Sequence, residues 1–79
     1  MTLNLRDMAV GETGKIVAFQ KGNKSYRKKL LAMGLTPKTE FSIIRYAPLG
    51  DPVEIQVRGF ALSLRKDEAD ALVVERVVT

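Results

Sequence analysis

The chain has 79 residues, of which 46% are hydrophobic and 28% are charged, so we expect residues 1–79 to form one small folded domain. Cysteine and histidine are both absent, which excludes disulfides, thiolate metal sites, zinc fingers and histidine-based catalytic triads. Apolar runs are far shorter than the roughly 20 residues of a membrane-spanning helix. The N-terminus has no signal-peptide pattern. We therefore expect a soluble protein without direct membrane insertion.

The net charge of +4 is unevenly distributed along the chain. No acidic residue lies between Glu12 and Glu40, whereas this stretch contains seven lysines and arginines. The rest of the chain has six basic and all nine acidic residues. A basic segment of this kind can face phosphate, an acidic protein surface or anionic lipid. The structural alternative is a solvated lysine-rich face that serves solubility.

The first predicted elements are a strand over Lys15–Phe19 and a helix over Ser25–Met33. The strand is a run of β-branched and aromatic residues. The helix has apolar side chains at helical spacing on one face, and we expect these to enter the core: Tyr26, Leu30 and Met33. Gly34 is suited to the left-handed position after the helix, and Pro37 prevents its continuation.

The remainder of the chain predicts β-structure. Four segments have strand-like patterns: 41–47, 53–57, 60–64 and 72–78. The first is apolar on both faces, so we expect it to be central or strongly bent, and Arg58-Gly59 predicts a tight hairpin between the second and third. A short helical turn is predicted over Lys66–Ala71. The fold class is mainly β: a small SH3-like, partly open barrel with one helix in an early connection and a helical turn before the last strand.

Three stretches, at 27–37, 47–53 and 62–65, read RKKLLAMGLTP, APLGDPV and LSLR. In this order and spacing, the chain resembles the FeoA (ferrous iron transport protein A) family along essentially its whole length. It departs from that pattern at Lys38, where family members commonly have glycine after the proline.

The resemblance implies a small cytoplasmic accessory protein of bacterial ferrous iron uptake with an SH3-like fold. The expected partner is the membrane ferrous iron transporter, whose cytoplasmic part binds GTP. This chain would act as a regulatory adaptor that modulates the assembly or the GTP cycle of that transporter. It would then lie at the inner face of the membrane through its partner. The resemblance implies no enzyme activity, no cofactor and no small-molecule substrate.

Two regions are predicted to contact such a partner. On the helix, Arg27, Lys28 and Lys29 occupy the arc that points to solvent, and we assign Arg27 and Lys28, with Leu31 beside them, to the interface. In the loop Pro48–Pro52, proline, glycine and aspartate are typical turn formers. Leu49 and Asp51 complete the predicted partner-binding set, since an apolar side chain in such a loop suits a small anchor. Turn chemistry and partner binding remain compatible alternatives for the loop.

No catalytic or metal site is predicted. Asp67, Glu68 and Asp70 are the densest acidic cluster, and carboxylate oxygens are ligands for hard cations. No glycine-turned ligand loop surrounds them, and carboxylates in the first turn of a helix complement its dipole. The family resemblance leaves transition-metal binding open as a function, but a chain without histidine or cysteine is not suited to hold iron tightly.

The alternative function is a nucleic-acid-binding module, because small barrels with a basic face often bind RNA or DNA. Against it, aromatic residues make up only 6% of the chain, and most fall at core-facing strand positions instead of forming a stacking platform. Salt separates the two functions, because affinity for nucleic acid falls steeply with ionic strength.

Overall fold

Six strands form one antiparallel sheet in the computed structural model, which describes residues 2–21 and 24–77. In chain order the elements are β1 (Thr2–Asn4), a 3₁₀ turn (Leu5–Asp7), β2 (Thr13–Phe19), α1 (Lys24–Ala32), β3 (Glu40–Tyr46), β4 (Val53–Val57), β5 (Phe60–Leu64), α2 (Lys66–Asp70) and β6 (Leu72–Arg76). The strand order in the sheet is β1-β6-β2-β3-β4-β5. The predicted SH3-like, partly open barrel is confirmed. The predicted end of the last strand at Val78 lies outside the described residues.

The core follows from the alternation of the strands. In β4, Val53, Ile55 and Val57 are buried, while Glu54 faces outward and forms a charged pair with Arg45 across the sheet. The same alternation buries residues of β2, β3, β5 and β6, which are Ile16, Phe41, Ile43, Leu64, Leu72 and Val74. In the described chain α1 has nine residues and α2 has five, and no helix there is long and apolar enough to cross a membrane.

Two bulges bend the sheet. The pairing register shifts between Ile16 and Ala18 of β2 and between Ile43 and Arg45 of β3. An extra residue in one strand increases local twist and turns its side chain away from the regular alternation. The bulged residue Ile44 is therefore 37% exposed although its neighbour Ile43 is buried. The prediction of a central or bent third strand is right on both counts, since β3 lies between β2 and β4.

The N-terminal segment, to which the sequence analysis assigned no structure, contributes to the core. β1 pairs with β6, and Leu5 and Met8 are buried. The Tyr46 hydroxyl donates a hydrogen bond to the Met8 carbonyl oxygen at 2.5 Å. Burial raises the pKa of Tyr46. This bond fixes the N-terminal segment against the end of β3.

The end of α1 has the predicted form. Gly34 adopts a φ of 90°, and its N–H donates to the Leu31 carbonyl at 3.0 Å. The Leu35 N–H donates to the Leu30 carbonyl at 3.0 Å. These two bonds form the Schellman motif, and its accompanying apolar contact is supplied by the buried pair Leu30 and Leu35. The chain therefore turns sharply and returns Leu35 to the core.

Candidate interaction surface

Helix α1 places its apolar and basic side chains on different sides. Leu30 is fully buried, and Tyr26 and Met33 pack against the core while partly buried. The predicted core-facing stripe is confirmed. The exposed side contains Arg27 and Lys28, together with Leu31, which is 37% exposed. We call these last three residues the α1 surface.

The three consecutive cations of α1 do not have equivalent surroundings. The Arg27 guanidinium lies 5.8 Å from the centroid of the Phe19 ring, a cation–π geometry. The Lys29 ammonium pairs with the Glu68 carboxylate. Lys28 makes no ion pair with the residues that the structure describes. All three side chains are exposed, as expected, but Lys29 also forms an ion pair with Glu68 that the sequence did not predict.

Glu68 is the buried charged residue at this junction. Its Oε1 accepts a hydrogen bond from the Arg65 N–H at 2.9 Å, which stabilises the first turn of α2. Its Oε2 lies 2.5 Å from Lys29 Nζ. The hydrogen bond from Lys29 is the main cause that holds the pKa of Glu68 below its ordinary value, and it outweighs the opposing effect of burial. The carboxylate is therefore ionised and structural.

The residues 47–52, which we call the tip loop, form an ordered turn. The Gly50 N–H donates to the Ala47 carbonyl at 2.7 Å, and Gly50 adopts a φ of 84°. Asp51 Oδ1 accepts a hydrogen bond from the Lys66 N–H at 2.9 Å. Leu49 is 96% exposed. The turn chemistry predicted for the loop is thus confirmed, since Asp51 fixes the loop, and Leu49 projects from it. Partner binding by Leu49 and Asp51 stays a prediction.

The five predicted partner-binding residues form two groups that are joined through α2. Arg27, Lys28 and Leu31 lie on α1, and Leu49 and Asp51 lie on the tip loop. Lys29 connects α1 to α2 through Glu68, and Asp51 connects the tip loop to the start of α2. The short helix α2 therefore fixes both predicted regions to the same part of the barrel.

The acidic cluster on α2 is not arranged around a common point. Glu68 turns inward to Lys29, whereas Asp70 lies 3.5 Å from Arg6 near the N-terminus. Within residues 2–21 and 24–77, no three acidic side chains come together in a group that could hold a metal ion. Ion pairs therefore engage Glu68 and Asp70 in two different directions.

A cleft between the turn after α1 and the β4–β5 hairpin was not predicted from the sequence. Its lining includes Lys38 and Arg58. The sequence marked Lys38 only as a departure from the family pattern and Arg58 only as part of a hairpin loop, and the two residues are twenty positions apart in the chain. The signal that could have identified them is the type of turn, because each occupies a turn position that favours glycine or asparagine.

A family model described as the FeoA domain matches residues 3–76. The chain belongs to the FeoA family. The NMR structure of a FeoA-like protein from Clostridium acetobutylicum is 33% identical with a TM-score of 0.89, and the match covers 99% of this chain and 90% of that chain. A crystal structure of an iron uptake regulatory protein (FeoA) is 30% identical with a TM-score of 0.84, and the match covers 98% of this chain and 100% of that one.

A longer relative joins this type of domain to a transporter. The Fe(2+) transport protein A/Fe(2+) transporter FeoB fusion protein of Porphyromonas gingivalis is 29% identical over 75 residues. The match covers 95% of this FeoA-family chain but only 9% of the fusion protein. The chain thus spans a small fraction of that relative.

Proposed function

We propose that this FeoA-family chain is a cytoplasmic accessory protein of bacterial ferrous iron uptake. It binds the cytoplasmic GTP-binding part of the membrane iron transporter and modulates its assembly or its GTP cycle. The observation that carries this proposal is the P. gingivalis relative, whose name places transport protein A and transporter FeoB in one fusion protein. Covalent linkage of two modules keeps each at high effective concentration near the other, which favours modules that act together.

The α1 surface supports this role by its chemistry. Lys28 has no ion-pair partner among the described residues, and Leu31 is partly exposed beside it. A charged side chain steers an oppositely charged partner towards the surface, and an apolar side chain beside it adds buried area to the interface. Arg27 is held over Phe19, so its guanidinium is oriented before a partner arrives. Leu49 on the tip loop provides a second apolar contact, and Asp51 holds that loop in place.

The proposed mechanism assigns no chemistry to this chain, and it needs no cofactor or small-molecule substrate. The domain binds one conformation of the transporter more tightly than another, and it thereby shifts the population between them. At saturation, the free energy of the shift between the two conformations equals the difference between the two binding free energies. Residence at the inner face of the membrane follows from binding to the transporter.

A pull-down of full-length transporter with the full 79-residue chain tests the proposal. The interface variant is Arg27→Glu/Lys28→Glu, and the control variant Lys15→Glu/Arg76→Glu changes the charge by the same amount on β2 and β6, outside the α1 surface and the tip loop. We expect capture by wild type and by the control at low and moderate salt, and loss of capture by the interface variant.

Equal capture by all three proteins would exclude the α1 surface. Absence of capture by wild type, together with binding to RNA or DNA that falls steeply with salt, would instead support the nucleic-acid-binding alternative. In that case the transporter-binding role is wrong, whatever the state of the α1 surface.

A further inference from the structure

Two non-glycine residues in the described part of the chain have positive φ, and both are cationic: Lys38 at 74° and Arg58 at 51°. This left-handed region is unfavourable for residues with a Cβ atom. Conformations of this kind persist where the surrounding structure holds them, and they are concentrated at binding sites. Lys38 and Arg58 line the same cleft, although they belong to different turns.

The type of each turn requires the positive φ of the cationic residue within it. Residues 36–39 form a β-turn in which the Thr39 N–H donates to the Thr36 carbonyl at 3.1 Å, with Pro37 second and Lys38 third. Proline followed by a positive φ defines type II, whose third position favours glycine. The Lys38 N–H donates to the Ile16 carbonyl at 2.7 Å, which ties this turn to β2. Arg58 is the first residue of the two-residue hairpin loop between β4 and β5.

The cleft between the two turns is open and has a volume of about 500 Å³. It is lined by Thr36, Pro37, Lys38, Thr39, Glu40 and Arg58. Arg58 Nη2 donates a hydrogen bond to Thr39 Oγ1 at 3.3 Å, and Thr39 Oγ1 lies 2.8 Å from Thr36 Oγ1. Because the two hydroxyls share one hydrogen bond, one of their two protons remains for an incoming acceptor.

The charges of the cleft select a carboxylate. Lys38 and Arg58 form no ion pair within 4.0 Å among the described residues, even though Glu40 lines the same cleft. The three charges sum to +1, so one carboxylate would leave the cleft neutral, whereas a phosphate dianion would leave it with a charge of −1. The guanidinium offers a planar fork of donors and the lysine a mobile charge beside it.

We propose that this cleft binds a carboxylate side chain on an acidic segment of a partner protein. The carboxylate would accept from the free N–H groups of Arg58, from Lys38 and from the remaining threonine hydroxyl. Charge-assisted hydrogen bonds of this kind are stronger than those between neutral groups. The hydrogen bond from Arg58 to Thr39, which in turn bonds Thr36, orients the guanidinium for them. The cleft is a different site from the α1 surface, and its test does not depend on the iron transporter.

The test is an NMR titration of the full 79-residue protein at physiological salt, with a hexaglutamate peptide as the probe. We expect saturable shifts of the amide signals of Thr36, Lys38, Thr39 and Arg58. Lys38→Gly and Arg58→Gln should each weaken binding by up to about fivefold, as loss of an exposed charged contact does. Lys38→Arg and Arg27→Gln/Lys28→Gln should bind the peptide as wild type does.

Lys38→Gly also separates binding from folding. Glycine suits the positive φ, so this variant should melt roughly 3–8 °C above wild type while it binds the peptide less well. Equal binding by Lys38→Gly and wild type would overturn the proposal. Shifts confined to residues 27–29 would also overturn it. So would equal shifts with inorganic phosphate at the same concentration, since the ligand would then be a phosphate.

Discussion

Lys29 Nζ lies 2.5 Å from Glu68 Oε2, and this pair joins α1 to α2. The side chain of Glu68 is only 4% exposed, whereas that of Lys29 is 61% exposed. In this pair, a lysine at the surface neutralises the charge of a buried carboxylate. Lys28, its neighbour in sequence, has no such partner in the described structure. Adjacent lysines on one helix therefore have different surroundings: Lys29 links α1 to α2, and Lys28 forms no ion pair with a described residue.

Replacement of these two lysines should separate stability from binding. Lys29→Met leaves a buried carboxylate without its cation, so we expect the free energy of unfolding to fall by about 1–3 kcal/mol. Lys28→Met should change it by less than about 0.5 kcal/mol, as is usual at exposed positions. Urea denaturation of both variants checks this. A loss of equal size in the two variants would mean that the Lys29–Glu68 pair contributes nothing specific.

The same pair predicts a dependence of stability on pH. The pKa of Glu68 is lowered in the folded protein, first by the hydrogen bond from Lys29, from an ordinary value of 4.5. A carboxyl with a lower pKa in the folded state stabilises the fold above its unfolded pKa, and this contribution is lost as the pH falls through the folded pKa. We therefore expect wild-type stability to decline at pH values below about 4.5.

Glu68→Gln should reduce that decline, and denaturation curves at neutral and acidic pH measure the difference. The pKa of Glu12 is also lowered, chiefly by a hydrogen bond from the Ala9 N–H, so part of the acid sensitivity should remain in the variant. An identical pH profile in Glu68→Gln and wild type would contradict the role assigned to this carboxylate.

Local patterns in the sequence predicted the helix and the hairpin correctly. Gly34 and Pro37 mark the end of α1, and Arg58-Gly59 marks the loop between β4 and β5, because each signal lies within a few residues of the feature that it sets. The α1 surface was likewise found from helical spacing. The tip loop was found from its turn-forming residues.

Features that depend on distant contacts were not predicted. β1 has three residues, too few to show a pattern, and it forms only because β6 offers an edge more than 65 positions away. The partner of Lys29 lies on another helix, so its pairing with Glu68 has no signal in the sequence. The cleft forms because the fold brings Lys38 and Arg58, which are distant in the chain, to the same lining.

Close packing at Gly14 provides a test of the core. The predicted strand began at Lys15, whereas β2 begins at Thr13 and includes this residue. A Cβ atom there would lie 2.7 Å from Cζ of Phe41 and 3.0 Å from Sδ of Met8. We expect Gly14→Ala to lower the free energy of unfolding by about 1–3 kcal/mol through overpacking. In the Phe41→Leu background the same change should cost less, and a cost that is equal in both backgrounds would contradict this contact.

Leu49 should matter for binding and not for folding. Because it is 96% exposed, Leu49→Ser should leave the free energy of unfolding within about 0.5 kcal/mol of wild type. If the tip loop is an anchor, the same variant should weaken capture of the transporter several-fold. Unchanged capture, with unchanged stability, would remove the tip loop from the interface and leave the α1 surface alone.

We propose that Arg27 and Lys28 of α1 engage the iron transporter. The most direct measurement is a titration of full-length transporter with wild-type protein and with Arg27→Glu/Lys28→Glu, in which binding and GTP hydrolysis are recorded on the same samples. We expect saturable binding by wild type that changes the hydrolysis rate or the assembly state of the transporter, with both effects lost in the variant. Binding of equal affinity by the variant would contradict it.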